Sequence, residues 1–233
     1  MMIATNDCIG LSQPEAAQML VLCSPVGPYF KTTNFSTVKI LAEDKFVRAW
    51  PGGTGNYKIG ANYGPTLLPQ KLAASQGFQQ ILWLLGPTNE ITEIGSMNCF
   101  ILLRDRKTGD LELITPPLDD GTILPGVTRD SILKLTRSWN EFKVSERKIN
   151  MKQFIEAHKA NEIVEMFGTG TAAIVSPIDC LKFNGIEYEI PCKYNSTSLS
   201  HRLYRQISKI QVIQIYLFIY SENFYSFPLV WRN

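Results

Sequence analysis

A single lysine lies in the glycine-rich stretch "GGTGNYKIGANYG", residues 52–64, where it is the only charged residue. Its amine could form an imine with an aldehyde, bind a phosphate, or lie in solvent on a tight turn. The phosphate-loop pattern needs glycine before the lysine and Ser or Thr after it, whereas Tyr57 precedes Lys58 and Ile59 follows it. The dinucleotide pattern fails too, because Lys58 occupies the position of its last glycine. An amine nucleophile and a solvated turn lysine remain as alternatives.

Two further glycine turns are suited to a small anion. "FGTGTAAIV", residues 167–175, matches the dinucleotide pattern, but Pro177 follows where that motif requires a helix. The backbone N–H groups of such a turn can still surround a phosphate. "GVTRDS", residues 126–131, places amides at the start of a predicted helix, where the helix dipole favours anions. Each stretch, taken alone, is equally typical of an ordinary turn or cap.

An acid in "TEIGSMN", residues 92–98, completes the set of reactive groups. Glu93 stands between two apolar runs, so it is either exposed in a turn or buried against a cation, and for a single acid the exposed alternative is favoured. Pyridoxal phosphate requires a lysine for a Schiff base, a phosphate-binding cup and an acid at the ring nitrogen. The three sites together are consistent with that cofactor.

The elements that must position these residues indicate a mixed α/β (α+β) chain with many antiparallel neighbours. The apolar run at 18–30 predicts a buried strand and its exit. Further strands are predicted at 37–41, 46–50, 79–86 and 142–149, in a hairpin at 95–117 and in a strand–turn–strand unit at 162–178. Helices are predicted within 63–78, from about 128 in the stretch 125–142, at 150–160 after an Asn150 cap, and at 199–210 after Ser198 or Ser200.

Composition excludes several functional classes. The chain of 233 residues carries 23 basic and 21 acidic residues, mixed along its length, so nothing indicates nucleic-acid binding. Five cysteines without C-x-x-C spacing and two histidines predict neither a disulfide framework nor a metal site. The first ten residues lack the features of a signal peptide, which favours a reducing, cytoplasmic location. The apolar run at 212–220 falls short of the roughly 20 residues of a membrane span, and predicts a buried strand or an aggregation-prone segment.

From about Gly10 to Gln211 the chain closely resembles the branched-chain amino acid aminotransferases, which are class IV (fold type IV) pyridoxal-phosphate enzymes. The resemblance implies the large domain of that fold, a mixed β-sheet forming a pseudo-barrel with flanking helices. The matching strings occur in the family's order: "LCSPVGPYF", "FVRAWPGGTGNYKIGANYGPT", "QILWLLG", "TEIGSMN", "TPPLDDGTILPGVTRDSIL", "EFKVSER" and "EMFGTGTAAIVSP".

The resemblance also implies roles for individual residues. Lys58 matches the lysine that binds pyridoxal phosphate as a Schiff base and then transfers the substrate proton. Tyr63 matches the tyrosine that hydrogen-bonds the phenolic oxygen of the cofactor, and Glu93 matches the carboxylate at its pyridine nitrogen. Thr171 and Ala172 match positions beside the substrate carboxylate. The other implied cofactor-binding positions are an arginine, a hydroxyl residue that is usually threonine in the family, and two backbone turns: Arg48, Ser96, Val127, Thr128, Gly170 and Thr171.

The implied reaction transfers the amino group of leucine, isoleucine or valine to 2-oxoglutarate, giving glutamate and a branched 2-oxo acid. Family members are homodimers, so a homodimer is expected, without a nucleic-acid or membrane partner; a mitochondrial location stays open beside the cytoplasmic one. Another fold type IV enzyme, such as a D-amino acid aminotransferase or an aminodeoxychorismate lyase, is one alternative. A non-catalytic truncated isoform that pairs with full-length subunits is another.

The resemblance predicts three segments. Residues 1–9 do not match the family, residues 10–211 form the large cofactor-binding domain, and residues 212–233 form a divergent apolar tail. The small N-terminal domain of the family has no counterpart in the sequence. We therefore expect the chain to be weakly active or inactive when it is expressed alone.

Overall fold

The computed structural model describes residues 1–5, 9–10, 12–25, 37–192 and 197–220, with side chains described as far as residue 211. The end of the predicted strand and exit, at 26–30, and the last part of the tail, at 221–233, lie outside the described residues. No helix in the described ranges is both long enough and apolar enough to cross a bilayer.

Strands and helices alternate irregularly along the described chain. The strands are β1 (Met2–Ala4), β2 (Ala17–Met19), β3 (Val38–Glu43), β4 (Gln80–Leu85), β5 (Glu90–Ile94), β6 (Met97–Arg104), β7 (Leu111–Thr115), β8 (Lys143–Glu146), β9 (Ile163–Gly170), β10 (Ile174–Phe183) and β11 (Ile186–Glu189). The helices are α1 (Gly60–Tyr63), α2 (Leu67–Ser75), α3 (Val127–Trp139), α4 (Met151–Lys159) and α5 (Leu199–Tyr220), and a 3₁₀ turn at Gly64–Thr66 joins α1 to α2.

Nine of the described strands form one mixed sheet, in the order β11-β10-β3-β4-β5-β6-β7-β8, while β9 pairs with both β10 and β6. Because β9 bridges those two strands, the path β10-β3-β4-β5-β6-β9 returns to its starting point and closes a ring. The β10–β3 and β3–β4 pairs are parallel, and the other four pairs of the ring are antiparallel. The mixed sheet and pseudo-barrel expected from the resemblance are thus confirmed.

Alternate side chains of β6 show how the sheet forms its core. Cys99 and Ile101 belong to one buried cluster, which includes Phe154 of α4. Phe100 and Leu102 belong to a second cluster, which α3 and α5 cover from the other side. Successive strand residues point to opposite faces, so a strand between two covered faces is apolar throughout rather than alternating. This explains why "MNCFIL" is continuously buried.

Helix starts follow the predicted capping chemistry. The Asn150 side chain accepts the Gln153 N–H at 2.9 Å, and the Gln153 side chain accepts the Asn150 N–H at 3.0 Å, which forms a capping box for α4. The Ser198 hydroxyl accepts the His201 N–H at the start of α5. The Glu165 carboxylate, on β9, also accepts two amides of that first turn, those of Leu199 and Ser200.

Three sequence predictions are wrong. The run at 18–22 was expected to be buried, but β2 ends at Met19, and the side chains of Val21 and Leu22 are exposed. The predicted strand at 46–50 is irregular backbone. The run at 212–220 is not the buried strand that was one of its two predicted alternatives, because α5 continues through it to Tyr220.

Candidate active site

Lys58 lies at the end of a turn, two residues before α1. The Tyr57 N–H donates to the Thr54 carbonyl at 2.9 Å, which closes the turn, and α1 begins two residues after the lysine. The Lys58 side chain is exposed, and its Nζ lies 5.7 Å from the centroid of the Tyr63 ring. Helix α1 thus brings Tyr63, the predicted cofactor-binding tyrosine, to the same side of the loop as the lysine amine.

Glu93 and Arg48 form a buried ion pair. The Arg48 Nε atom lies 2.6 Å from Glu93 Oε2, and each side chain is 3% exposed. Arg48 is held by backbone carbonyls, since its guanidinium donates to Thr122 O at 2.9 Å and to Gly55 O at 3.3 Å. The alternative that Glu93 is buried against a cation is therefore confirmed, and the exposed alternative is wrong.

The electrostatics of Glu93 are set mainly by its burial. Loss of solvation raises the pKa of this carboxyl from 4.5 to about 7. The Arg48 charge, the hydrogen bond from the Leu124 N–H and the Lys58 charge each lower the pKa in part. The Lys58 charge therefore acts on the Glu93 carboxyl, although more weakly than burial and the Arg48 charge do.

A loop before α3 connects Glu93 with the first of the two predicted anion-binding turns. Glu93 Oε1 accepts the Leu124 N–H at 2.9 Å, and the Asn98 amide donates to the Leu124 carbonyl at 2.8 Å and to Glu93 Oε1 at 3.4 Å. Gly126, the N-cap of α3, packs so closely on Asn98 that a Cβ there would overlap the amide oxygen. Val127 and Thr128 follow as the first helical residues, whose N–H groups have no partner within the helix.

The second anion-binding turn joins β9 to β10. Gly170 ends β9, and Thr171 and Ala172 are exposed in the turn that follows. Ile174 has a φ of 49°, a left-handed conformation that is strained for a β-branched residue. The buried Thr169 hydroxyl donates to the Ile174 carbonyl at 2.7 Å and so holds this conformation.

The sheet connects the buried acid with the second turn. β5 pairs with β6 at Glu93 and Asn98, and β6 pairs with β9 at Asn98 and Thr169, so the acid and the second turn are two strands apart in the sheet. Ser96, exposed in the β5–β6 turn, has its carbonyl 3.9 Å from the position of a Cβ on Gly170. The described geometry therefore links the predicted acid, arginine, hydroxyl residue and both turns through neighbouring elements.

Three residues of this site were missed by sequence reasoning. Asn98 and Leu124 bind the carboxylate of Glu93, and Asn62 braces the lysine loop. A buried asparagine between apolar residues, as in "SMNCF", is the signal that could have pointed to Asn98, because a buried amide needs partners. The backbone N–H of Leu124 carries no sequence signal.

The buried carboxylate of Glu93 fits the ring nitrogen of pyridoxal phosphate. Glu93 Oε2 is buried and accepts no hydrogen bond of good geometry from the described residues, even though Arg48 Nε lies close to it. Buried carboxylate oxygens normally have such a donor. The N–H of a protonated ring nitrogen would supply it, and an oxygen so placed would help to hold that proton.

Residues 21–179 match the family model of class IV amino-transferases, so the chain belongs to this family. It is 49% identical over 212 residues to a branched-chain-amino-acid aminotransferase of Dictyostelium discoideum, which covers 90% of this chain and 55% of that protein. It is 45% identical over 210 residues to the mitochondrial enzyme of that name from Bos taurus, covering 90% of this chain and 53% of that protein. It is 51% identical over 193 residues to the cytosolic branched-chain-amino-acid aminotransferase of Saccharomyces cerevisiae, covering 82% of this chain and 51% of that protein.

Solved structures share the fold. A branched-chain amino acid aminotransferase from Thermobaculum terrenum in its PLP form superposes with a TM-score of 0.60 at 23% identity, covering 76% of this chain and 51% of that one. The branched-chain aminotransferase from Thermoproteus uzoniensis with norvaline superposes with a TM-score of 0.63 at 22% identity, covering 87% of this chain and 58% of that one. The chain thus spans about half the length of the curated relatives it matches.

Proposed function

We propose that this chain supplies the cofactor-binding part of a pyridoxal-phosphate-dependent branched-chain amino acid aminotransferase. Its reaction would move the amino group of leucine, isoleucine or valine to 2-oxoglutarate. The observation that carries the proposal is the buried Glu93–Arg48 pair, in which Glu93 Oε2 lies 2.6 Å from Arg48 Nε but accepts no hydrogen bond of good geometry from the described residues. The names of relatives 45–51% identical to the chain support the choice of substrates.

Each predicted residue has a role that suits its position. Pyridoxal phosphate, when bound, withdraws electrons from the substrate Cα and so weakens its C–H bond. Lys58 is the amine that binds the cofactor and then holds or releases a proton beside that carbon. Glu93 accepts a hydrogen bond from the ring nitrogen, and the Arg48 charge counters the cost of burying the carboxylate. The Tyr63 hydroxyl would donate a hydrogen bond to the phenolic oxygen of the cofactor.

Two turns and one hydroxyl complete the proposed site. The amides of Val127 and Thr128 and those of the β9–β10 turn bind the phosphate, because helix N-termini and glycine turns present unpaired N–H groups. The amides of the exposed residues Thr171 and Ala172 would also be available to bind the substrate carboxylate. The positions concerned are Ser96, Val127, Thr128, Gly170 and Thr171 for the cofactor, and Thr171 and Ala172 for the substrate.

The direct test is the absorption spectrum of the purified 233-residue chain after addition of pyridoxal phosphate. We expect an imine band that is absent in Lys58→Ala and present in Lys71→Ala, a control lysine on α2. Borohydride reduction followed by peptide mass spectrometry should place the cofactor on Lys58. A band of equal size in Lys58→Ala, or no band in the unchanged chain, would refute the cofactor assignment.

Substrate class is tested separately, because cofactor binding is common to all fold type IV enzymes. Because the chain alone is expected to be weakly active, the half-reactions are followed over long incubation: a chain loaded with cofactor should slowly lose its imine band after addition of leucine, isoleucine or valine, and slowly regain it with 2-oxoglutarate. A response to D-alanine alone would contradict the proposal and favour a D-amino acid aminotransferase.

The proposal extends to organisation and location. Residues 10–211 would form the cofactor-binding domain, flanked by an unmatched segment at 1–9 and the apolar tail at 212–233, and the working unit would be a homodimer. A cytoplasmic location stays a prediction, since the relatives are named for both the cytosol and the mitochondrion. Size-exclusion chromatography with light scattering tests the dimer.

A further inference from the structure

The side chain of one buried asparagine makes its described hydrogen bonds to the loop that carries Lys58. Asn62, the third residue of α1, is 7% exposed. Its amide nitrogen donates to the Thr54 carbonyl at 2.6 Å and to the Tyr57 carbonyl at 2.7 Å, and its amide oxygen accepts the Thr54 hydroxyl at 3.0 Å. Both donors and one acceptor site of the amide are therefore used within one loop.

These hydrogen bonds enclose Lys58. The Tyr57 carbonyl belongs to the peptide unit that contains the Lys58 nitrogen, so one bond fixes the orientation of the plane that precedes the lysine Cα. The bonds to Thr54 fix the start of the same turn. Because Asn62 itself belongs to α1, the backbone on both sides of the lysine is tied to a single side chain.

The lysine needs such a brace because its own side chain has little to hold it. Within the described part of the chain, Lys58 Nζ makes no hydrogen bond or ion pair and only the distant contact with the Tyr63 ring. A long exposed lysine samples many rotamers, and only the backbone then determines the region its amine can reach. Attack on a fixed acceptor depends steeply on such positioning.

We propose that Asn62 is a positioning residue, which holds the backbone of Lys58 so that its amine is directed at the site beside Glu93. This inference rests on the proposed function. The amide is required chemically, because aspartate at this position would place negative oxygens against the two carbonyls and supply no donor for them when ionised. Glutamine is one methylene longer and cannot occupy the same space without displacing the loop.

The test compares Asn62→Ala and Asn62→Asp with Asn150→Ala. The last variant is a matched control, because Asn150 is also an asparagine that braces a helix start, but it lies in the capping box of α4. Three quantities are measured for each full chain: the melting temperature, hydrogen exchange of the peptide covering 54–60, and the rate of imine formation at Lys58 with pyridoxal phosphate. Hydrogen exchange at 54–60 measures how often the loop opens, and it can be recorded without any cofactor.

We expect both Asn62 variants to slow imine formation at Lys58 at least about tenfold, a factor equivalent to about 1.4 kcal/mol. Exchange at 54–60 should accelerate by a similar factor. Asn150→Ala should lower the melting temperature about as much as the Asn62 variants do. It should leave the rate of imine formation and the hydrogen exchange at 54–60 unchanged.

The outcomes separate the two proposals. Faster exchange at 54–60 with an unchanged rate of imine formation would show that Asn62 stabilises the loop without positioning the lysine, and would overturn the inference alone. An equal loss of imine formation in Asn150→Ala would also overturn it, since general destabilisation would then be the cause. Failure of the unchanged chain to form an imine at Lys58 would overturn the proposed function, and the inference with it.

Discussion

The titration of Glu93 gives a prediction whose sign and size both follow from the structure. Burial raises the pKa of this carboxyl from 4.5 to about 7. Between these two values the folded chain binds more protons than the unfolded chain, so the free energy of unfolding must fall as the pH rises through this window. The contribution is fully present below pH 4.5 and is lost above pH 7. Applying the linkage relation, we expect a loss of about 2.5 kcal/mol between about pH 5 and about pH 8.

Other carboxyl groups make the folded chain more stable as the pH rises, so their contribution to the measured unfolding free energy must be removed by a reference variant. Hydrogen bonds from Arg147 lower the pKa of Glu112 to about 2, and those from Arg137 lower the pKa of Glu146, so both groups favour the folded state at higher pH. Glu93→Gln is the matched reference, because glutamine keeps an acceptor for the Leu124 N–H and does not titrate. The quantity to measure is the difference in unfolding free energy between the unchanged chain and Glu93→Gln, from urea denaturation at several pH values.

The difference should shift by about 2.5 kcal/mol in favour of the variant as the pH rises from about 5 to about 8. A difference that is independent of pH, or that shifts in favour of the unchanged chain as the pH rises, would refute the reasoning. Glu93 would then stay ionised in the folded chain, and the attraction of Arg48 would outweigh the cost of burial.

Two further predictions concern the neighbours of this acid. Arg48→Ala leaves Glu93 buried without its cation, so we expect the free energy of unfolding at neutral pH to fall by about 3–5 kcal/mol. Urea denaturation measures this change, and a fall below about 1 kcal/mol would contradict a buried ion pair. Gly126→Ala introduces a Cβ that collides with Asn98 and displaces the start of α3, so affinity for pyridoxal phosphate, measured by spectral titration, should fall about tenfold or more. Gly109→Ala is the control: its Cβ meets no neighbour but strains a surface turn at a φ of 80°, so it should leave that affinity unchanged.

Sequence reasoning succeeded where the information is local. The Asn150 cap of α4 depends on the residues at the helix start, and the hairpin of β6 and β7 on two apolar runs around a charged turn. The apolar run at 212–220 has the composition of a strand but follows a well-capped helix. Extending a formed helix costs less than starting a new element, so α5 continues through it.

The parts that sequence reasoning missed depend on distant contacts. Glu93 looks like an exposed acid until Arg48, 45 positions earlier, is brought against it by the irregular backbone that follows β3. That irregular segment was predicted as a strand, yet its Arg48 side chain is held by the backbone carbonyls of Gly55 and Thr122. Such long-range pairs leave no periodic pattern in the sequence.

The closure of the sheet ring has a consequence for synthesis of the chain on the ribosome. The Thr37 hydroxyl, next to β3, donates to Asp179 of β10 at 2.6 Å across 142 positions of sequence. At a translation rate of about 5–20 residues per second, β3 emerges roughly 7–28 s before the strand that completes its pairing. During that interval its apolar edge is open to other nascent chains. Molecular chaperones that bind extended apolar segments would therefore be expected to engage β3 first.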